Sequence, residues 1–135
     1  MYRDPKELKV FAVADGLAFE LHQAGRHWAR EEFGSLVAVL QRAALAPVLH
    51  ILEACRQPRD EGFTTGLRAA KRSAEETRYL VDLGLRVGLL PEPEAKALEE
   101  QALHLVKSLA WLLRFQKERE LRKAEEASRE PEAQG

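Results

Sequence analysis

The stretch FTTGLRAAKRSAEETRYLVDLG, residues 63–84, decides the fold of this chain. Its apolar and small residues recur at alternating steps of four and three, a seven-residue repeat that lines one face of an α-helix. The repeat consists of Phe63, Leu67, Ala70, Ala74, Thr77, Val81 and Gly84. Small residues at its centre permit close approach of a neighbouring helix. The stretch therefore predicts a long amphipathic helix that packs against others.

Outward from this helix, the same spacing recurs in three more segments of the chain. They cover residues 7–28, 32–55 and 94–122, and the helix that holds the repeat extends over 60–87. Nothing between these segments is long enough to form another element, and the connections are short, which favours antiparallel neighbours. We therefore predict an all-α fold, an antiparallel up-and-down four-helix bundle.

Chain length and composition indicate one domain. The chain has 135 residues, of which 45% are apolar, enough to bury one sizeable core. Residues 1–122 are expected to form the bundle. The sequence beyond about residue 115 is rich in Glu and Lys with almost no apolar residues, so the tail, residues 123–135, is predicted to be disordered.

The second helical segment is the most apolar and contains a proline. Its apolar residues cover more than one stripe, which indicates either the most buried helix of the bundle or a subunit interface. Pro47 lies well inside it and removes a backbone hydrogen bond, so we predict a kink over 43–47. The bend either wraps the helix around its neighbours, which we favour, or shapes a binding surface.

Charge and targeting signals point to a cytoplasmic protein. Lys plus Arg, 21 residues, nearly balances Asp plus Glu, 22 residues, so the whole chain carries no field typical of a dedicated nucleic-acid or membrane-surface binder. The single cysteine, Cys55, cannot form an intramolecular disulfide, and the start MYRDPKELK lacks the apolar core of a signal peptide. No uninterrupted apolar run approaches the ~20 residues of a spanning helix, so no membrane contact is expected.

The histidines do not form a metal-binding pattern. His22 and His27 are five residues apart and fall on different sides of a helix, while His50 and His104 belong to other helices. A bundle could bring Glu53 near His50 and His104, yet the Glu-x-x-His motifs of di-iron bundles are absent. No metal site is predicted.

Other catalytic or cofactor-binding patterns are equally weak. Cys55 has Arg56 beside it but ends an apolar helix, where a buried structural cysteine is ordinary. No G-x-x-x-x-G-K loop occurs, so nucleotide binding is not expected. We predict no catalytic residues and no cofactor, and therefore no enzyme.

One basic concentration falls at the second connection and along the third helix. It consists of Arg56, Arg59, Arg68, Lys71, Arg72 and Arg78. Glu75, Glu76 and Asp82 interleave with it, which favours a solvated face laced with ion pairs. Contact with RNA through this cluster is the alternative.

The run LQRAALAPVLHILEA, residues 40–54, resembles a known signature. It is similar to L-x-R-A-x-x-S-I-P-x-N-I-x-E-G of the four-helix-bundle proteins encoded in intervening sequences of bacterial 23S ribosomal RNA. The matching residues are Arg42, Ala43, Ile51 and Glu53. Ser73 and Glu76 stand where this family has G-S-x-x-E, LKVF at 8–11 opens the first helix similarly, and VGLL at 87–90 resembles its L-G-Y-L.

Four departures accompany these matches. Ala46 replaces the usual serine, His50 the asparagine and Ala54 the glycine, and the proline is displaced by one position to Pro47. If the polar signature serves a specific interaction, this chain no longer makes it. If the signature serves packing, the substitutions are tolerated.

The resemblance also implies an assembly. Family members are similar to the accessory variability protein of diversity-generating retroelements, a basic pentameric barrel of bundles that binds nucleic acid and a reverse transcriptase. What this implies here is a closed homo-oligomer, a pentamer, with the second helix supplying much of the interface. The near-neutral charge of this chain does not favour nucleic-acid binding.

Three functional hypotheses follow. The leading one is a non-enzymatic oligomeric scaffold that docks a protein or RNA partner. The second is an RNA-binding accessory protein that uses the basic cluster from Arg56 to Arg78. The third, ranked last, is an enzyme or metal protein built on His50, Glu53 and His104.

Overall fold

The computed structural model describes residues 3–129, which form four α-helices and no strand. A 3₁₀ turn, Pro5–Glu7, precedes α1, Lys9–Gly25; then follow α2, Arg30–Cys55, α3, Asp60–Arg86, and α4, Glu92–Arg129. Each helix packs on its neighbours in sequence, and α1 also packs on α4. The predicted all-α four-helix bundle is confirmed. Its antiparallel order stays a prediction.

The seven-residue repeat of α3 faces the core. All seven of its members are buried, including Thr77 and Gly84. From the other helices, Leu17 and Leu21 of α1, Ile51 of α2 and Leu105 of α4 are completely buried beside them. The periodicity of the sequence therefore identified the buried faces of the helices, since residues three and four apart share one side of a helix.

The connections are closed by specific contacts. Trp28, between α1 and α2, is buried, and its Nε1 donates to Oε1 of Glu94 in α4 at 2.5 Å. At the end of α3, Gly88 adopts a φ of +86°, and the backbone N–H groups of Gly88 and Leu89 donate to the carbonyls of Leu85 and Gly84. This Schellman arrangement ends α3 because glycine enters the left-handed region without steric cost.

The kink predicted over 43–47 is not confirmed. Helical dihedral angles in α2 break at Phe33 instead, where φ is −121° and ψ is 25°. Pro47 lies fully buried inside the helix, and the carbonyl of Ala43, four residues earlier, accepts a hydrogen bond from the Thr77 hydroxyl at 3.0 Å. A donor from α3 thus takes the place of the N–H that proline lacks.

The fourth helix is longer than the sequence pattern predicted. The sequence pattern assigns residues 123–129 to a disordered tail, but they continue α4 as an exposed extension. Alanine, glutamate and lysine are strong helix formers, which offsets the lack of apolar contacts. Lys123 also pairs with Asp60 of α3 at 3.0 Å. The rest of the predicted tail, 130–135, lies outside the described residues.

The second helix combines an apolar composition with low burial. By length and composition it could span a membrane, yet only 28% of its most apolar 18-residue window is buried. A core helix of a bundle passes the same test, so the expected absence of membrane contact stays a prediction. Five neighbouring exposed residues contribute to this low burial, and we call them the α2 outer face: Ala38, Val39, Arg42, Leu45 and Leu49.

Candidate functional site

A groove of about 780 Å³ extends between α3 and α4. Side chains from three successive turns of α3 form one wall, and the C-terminal half of α4 forms the other. We call it the α3–α4 groove. Its lining consists of Thr64, Arg68, Lys71, Arg72, Glu75, Ala110, Leu113, Arg114, Lys117, Glu120 and Leu121.

The α3–α4 groove is basic. Its lining has five cationic side chains and two carboxylates. One cation is neutralised, because Nζ of Lys71 pairs with Glu75 at 2.8 Å, and Glu120 accepts from the hydroxyl of Thr64 at 3.3 Å. Within residues 3–129, the other four cations form no ion pair: Arg68, Arg72, Arg114 and Lys117. The groove therefore offers unpaired positive charge to an anionic ligand.

The structure divides the predicted basic cluster. Arg68, Lys71 and Arg72 lie together in the α3–α4 groove. Arg59 instead lines a separate cleft between α2 and α3, beside acidic Glu53 and Glu61. The remaining two members, Arg56 and Arg78, are exposed and line neither opening.

Two cations of the groove were not predicted from the sequence. Arg114 and Lys117 come from α4 and face Arg68 and Arg72 across the groove. They were overlooked because they lie where the apolar pattern fades into charge. Their spacing nevertheless contained a signal. Ala110, Arg114, Lys117 and Leu121 follow one another at steps of four, three and four, which places them on one face of α4.

An exposed pair of aromatic rings lies beside this groove on α4. The rings of Trp111 and Phe115 stack with their centroids 5.7 Å apart and an interplanar angle of 11°. Trp111 is 61% exposed and Phe115 is 43% exposed. A shallow depression lined by these rings also contains Glu118 and Arg114, and Arg114 lines the α3–α4 groove as well. The aromatic pair and the basic groove thus form one continuous surface.

The proposed metal ligands do not converge. His104 lines a second groove, between α1 and α4, with Lys107 and Trp111, whereas Glu53 lines the cleft between α2 and α3. Across residues 3–129, no three or more His, Cys, Asp or Glu side chains are grouped so that they could hold a metal ion. The geometry gives no support to the hypothesis built on His50, Glu53 and His104.

The thiol of Cys55 is shielded from solvent. Cys55 is fully buried at the end of α2, and this burial raises the pKa of its thiol despite the opposing positive charge of Arg3. A raised pKa disfavours the thiolate, which is the nucleophilic form. The environment is that of a structural cysteine.

A protein-family model described as 23S rRNA-intervening sequence protein matches residues 6–110. The chain belongs to this family. The match covers α1 to α3 and about half of α4, and it confirms the family resemblance seen in the sequence. No curated protein matches the chain. The role of the 23S rRNA-intervening sequence proteins is unknown, and no enzymatic activity is known for them.

The residues at signature positions of the 23S rRNA-intervening sequence family fall into two groups. Ile51 and Ser73 are buried, and the Ser73 hydroxyl donates to the carbonyl of Ala70 at 2.9 Å, so both serve packing. Half-buried Ala43 contributes the carbonyl that Thr77 satisfies. The remaining four are partly or fully exposed: Arg42, His50, Glu53 and Glu76. The bond at Ala43 joins α2 to α3, whereas the bond of Ser73 lies within α3.

The match to the 23S rRNA-intervening sequence family ends within α4, at residue 110. Trp111, Arg114, Phe115 and Lys117 all lie beyond it. One wall of the α3–α4 groove therefore belongs to the matched region, and most of the other wall does not.

Proposed function

We propose that this 23S rRNA-intervening sequence protein is a self-associating, non-enzymatic scaffold whose copies meet through the α2 outer face and present their other surfaces to a partner. The observation that carries the proposal is the exposed apolar surface of α2. Leu49 is 59% exposed and Leu45 and Val39 are each 42% exposed, on a helix whose composition is that of a buried one. Contiguous apolar surface of this kind marks interaction sites.

The arrangement of the α2 outer face suits a repeated contact. Ala38, Arg42, Leu45 and Leu49 follow one another at steps of four, three and four, so they form one stripe along the helix. Arg42 lies inside this stripe, and arginine among apolar residues is a common composition at interface cores. In a ring the α2 outer face of one copy would lie against a different surface of the next copy, because contact between two identical faces gives a two-fold dimer. The pentamer implied by the resemblance is the ring that we propose.

Light scattering coupled to size-exclusion chromatography tests this assembly. The native chain is expected to elute as a discrete oligomer at micromolar concentration, and Leu49→Glu is expected to shift it to the monomer, because a carboxylate would be desolvated at the interface. Leu121→Glu is the matched control, since Leu121 is 56% exposed on α4 and should leave the oligomer intact. A monomeric native chain would refute the proposal.

A second candidate function is polyanion binding, with RNA the ligand that we propose. The unpaired cations of the α3–α4 groove favour it, since neutralised phosphates release counterions and thereby drive association. The presence of cations on both walls supports a ligand backbone that lies along the groove.

Fluorescence anisotropy with a labelled RNA over a range of salt concentrations tests the second function. Replacing Arg68, Arg72, Arg114 and Lys117 together by alanine is expected to weaken binding. The slope of log affinity against log salt concentration should also become shallower, by about 0.7 for each phosphate that the variant no longer neutralises. Arg56→Ala with Arg78→Ala is the matched control, because both arginines are exposed outside the groove. Binding that ignores salt and the groove variants would contradict this function.

A further inference from the structure

We propose that the α3–α4 groove selects single-stranded over duplex nucleic acid, because unpaired bases stack on the rings of Trp111 and Phe115. This inference rests on the polyanion binding proposed above and names the ligand class. The aromatic pair lies beyond the region matched by the family model, so family membership does not imply it.

The aromatic pair is unusually accessible to solvent. Large aromatic side chains are normally buried, yet Trp111 exposes 61% of its surface, while the other tryptophan, Trp28, exposes 7%. Trp111 and Phe115 lie one turn apart on α4, and their rings are nearly parallel, with an interplanar angle of 11°. These two exposed rings stack on each other, and the pair forms a platform whose outer face is where a planar base can stack.

Cations flank this platform. Arg114 lines both the aromatic depression and the α3–α4 groove, so phosphates held in the groove would place adjoining nucleotides next to the rings. Lys107 lies on the other side of Trp111. Glu118 opposes these cations from the next turn of α4. A stacking surface flanked by cations is the combination that single-strand-binding proteins use, and this charge complementarity distinguishes a nucleic acid from an apolar peptide.

The form of the nucleic acid decides whether its bases can reach the rings. In a duplex the base faces stack on one another and are inaccessible, whereas a single strand can splay its bases onto aromatic side chains. Duplex nucleic acid could engage only the cations of the groove. Single strands are therefore expected to bind more tightly at equal phosphate count.

The test compares three fluorescently labelled probes in anisotropy titrations with the full chain: a 12-nucleotide oligouridylate, an abasic strand with the same number of phosphates, and a G·C-rich RNA duplex with 12 nucleotides in total. The native chain should bind oligouridylate on the order of tenfold more tightly than the abasic strand, and more tightly than the duplex. Trp111→Ala should remove this preference and leave the salt dependence unchanged, while Trp111→Phe should retain most of it. Phe19→Ala is the matched control, because Phe19 is also 61% exposed but lies on α1 and lines neither groove.

The outcomes distinguish base stacking from the polyanion binding on which this inference rests. Equal affinity for oligouridylate and the abasic strand, with groove variants still binding both more weakly, would overturn base stacking and leave polyanion binding intact. Failure of all three probes to bind would overturn both. A change in oligomeric mass on Trp111→Ala, with no change in probe affinity, would assign the aromatic pair to a protein interface and overturn the inference.

Discussion

The hydroxyl of Thr77 in α3 lies 3.0 Å from the carbonyl oxygen of Ala43 in α2. Ala43 is four residues before Pro47, which has no N–H to donate to that carbonyl. The same hydroxyl lies 2.8 Å from the carbonyl of Ser73, so one proton serves two acceptors inside the core. The bundle therefore tolerates a buried proline in α2 because a side chain of α3 partners the carbonyl that the proline leaves free.

Thr77→Val should destabilise the chain by about 1–2 kcal/mol, because the part-buried carbonyl of Ala43 loses its donor while the side-chain shape is nearly kept. Urea unfolding followed by circular dichroism measures the change. Thr65→Val is the control, since the Thr65 hydroxyl makes the same local bond, to the carbonyl of Glu61 at 3.0 Å, on the exposed side of α3.

The Pro47→Ala background sharpens this test. Alanine at position 47 supplies the missing N–H, so Thr77→Val should cost less in that background than in the native chain. Equal costs in the two backgrounds would show that Thr77 does not act through the carbonyl of Ala43.

Gly66→Ala should destabilise the bundle by about 1–3 kcal/mol, the usual cost of overpacking. A methyl group at Gly66 would lie 2.5 Å from Cβ and 2.8 Å from Cα of Ala54, so α2 and α3 would have to separate. Thermal unfolding measures the decrease in stability. Gly16→Ala is the control, because nothing lies within 4 Å of a methyl group there, and it should stabilise α1 by about 0.5–1 kcal/mol.

A reciprocal exchange tests the reason for this cost. The family signature has glycine where this chain has Ala54, so Ala54→Gly restores that residue and vacates the space that a methyl group at position 66 needs. The double variant Gly66→Ala with Ala54→Gly should recover part of the stability. If it is no more stable than Gly66→Ala alone, the close approach of the two helices is not the cause.

Asp60→Asn should reduce the acid sensitivity of the chain. Asp60 pairs with Arg3 and with Lys123 at the start of α3, and the hydrogen bond from Lys123 is the main cause that lowers the pKa of its carboxyl. Because this pKa is lower in the folded than in the unfolded chain, where it is about 3.9, the unfolded state takes up more protons in acid. The stabilisation is present above pH ~4 and disappears as the pH falls through the folded pKa.

Urea unfolding between about pH 2.5 and 7 measures this effect. Asp60→Asn should be less stable than the native chain at neutral pH and should approach it at low pH. Asp82→Asn is the control, since Asp82 pairs only with Arg86 on the exposed side of α3 within residues 3–129. Parallel stability curves for Asp60→Asn and the native chain would contradict the assignment.

Cys55 should react slowly with Ellman's reagent in the folded chain, because burial both blocks access and raises the pKa of the thiol. The reaction at mildly alkaline pH should accelerate sharply in denaturing urea. Ser35→Cys adds an exposed thiol on α2 as an internal control, so that variant should show one fast and one slow reaction. Two fast phases in the folded variant would place Cys55 at the surface.

Much of the candidate site lay within reach of the sequence. Lys71 and Arg72 follow Arg68 by three and four residues, so helical periodicity places the three on one side of α3. All three line the groove. Arg56 and Arg78 satisfied the same charge pattern but lie elsewhere. Charge along a sequence does not say which neighbouring helix stands opposite, and the partners Arg114 and Lys117 come from a different helix, far along the chain.

The sequence by itself determined four helices and the face of each that is buried, because helical periodicity of about 3.6 residues is a local property that burial reinforces. Only the tertiary structure decided how those faces meet. The bond from Thr77 to Ala43 joins residues 34 apart, and Asp60 joins Lys123 across 63 residues. Such contacts depend on the axial shift and rotation of one helix against another. Side-chain packing across the whole core sets this shift and rotation, and a local sequence pattern contains no information about them.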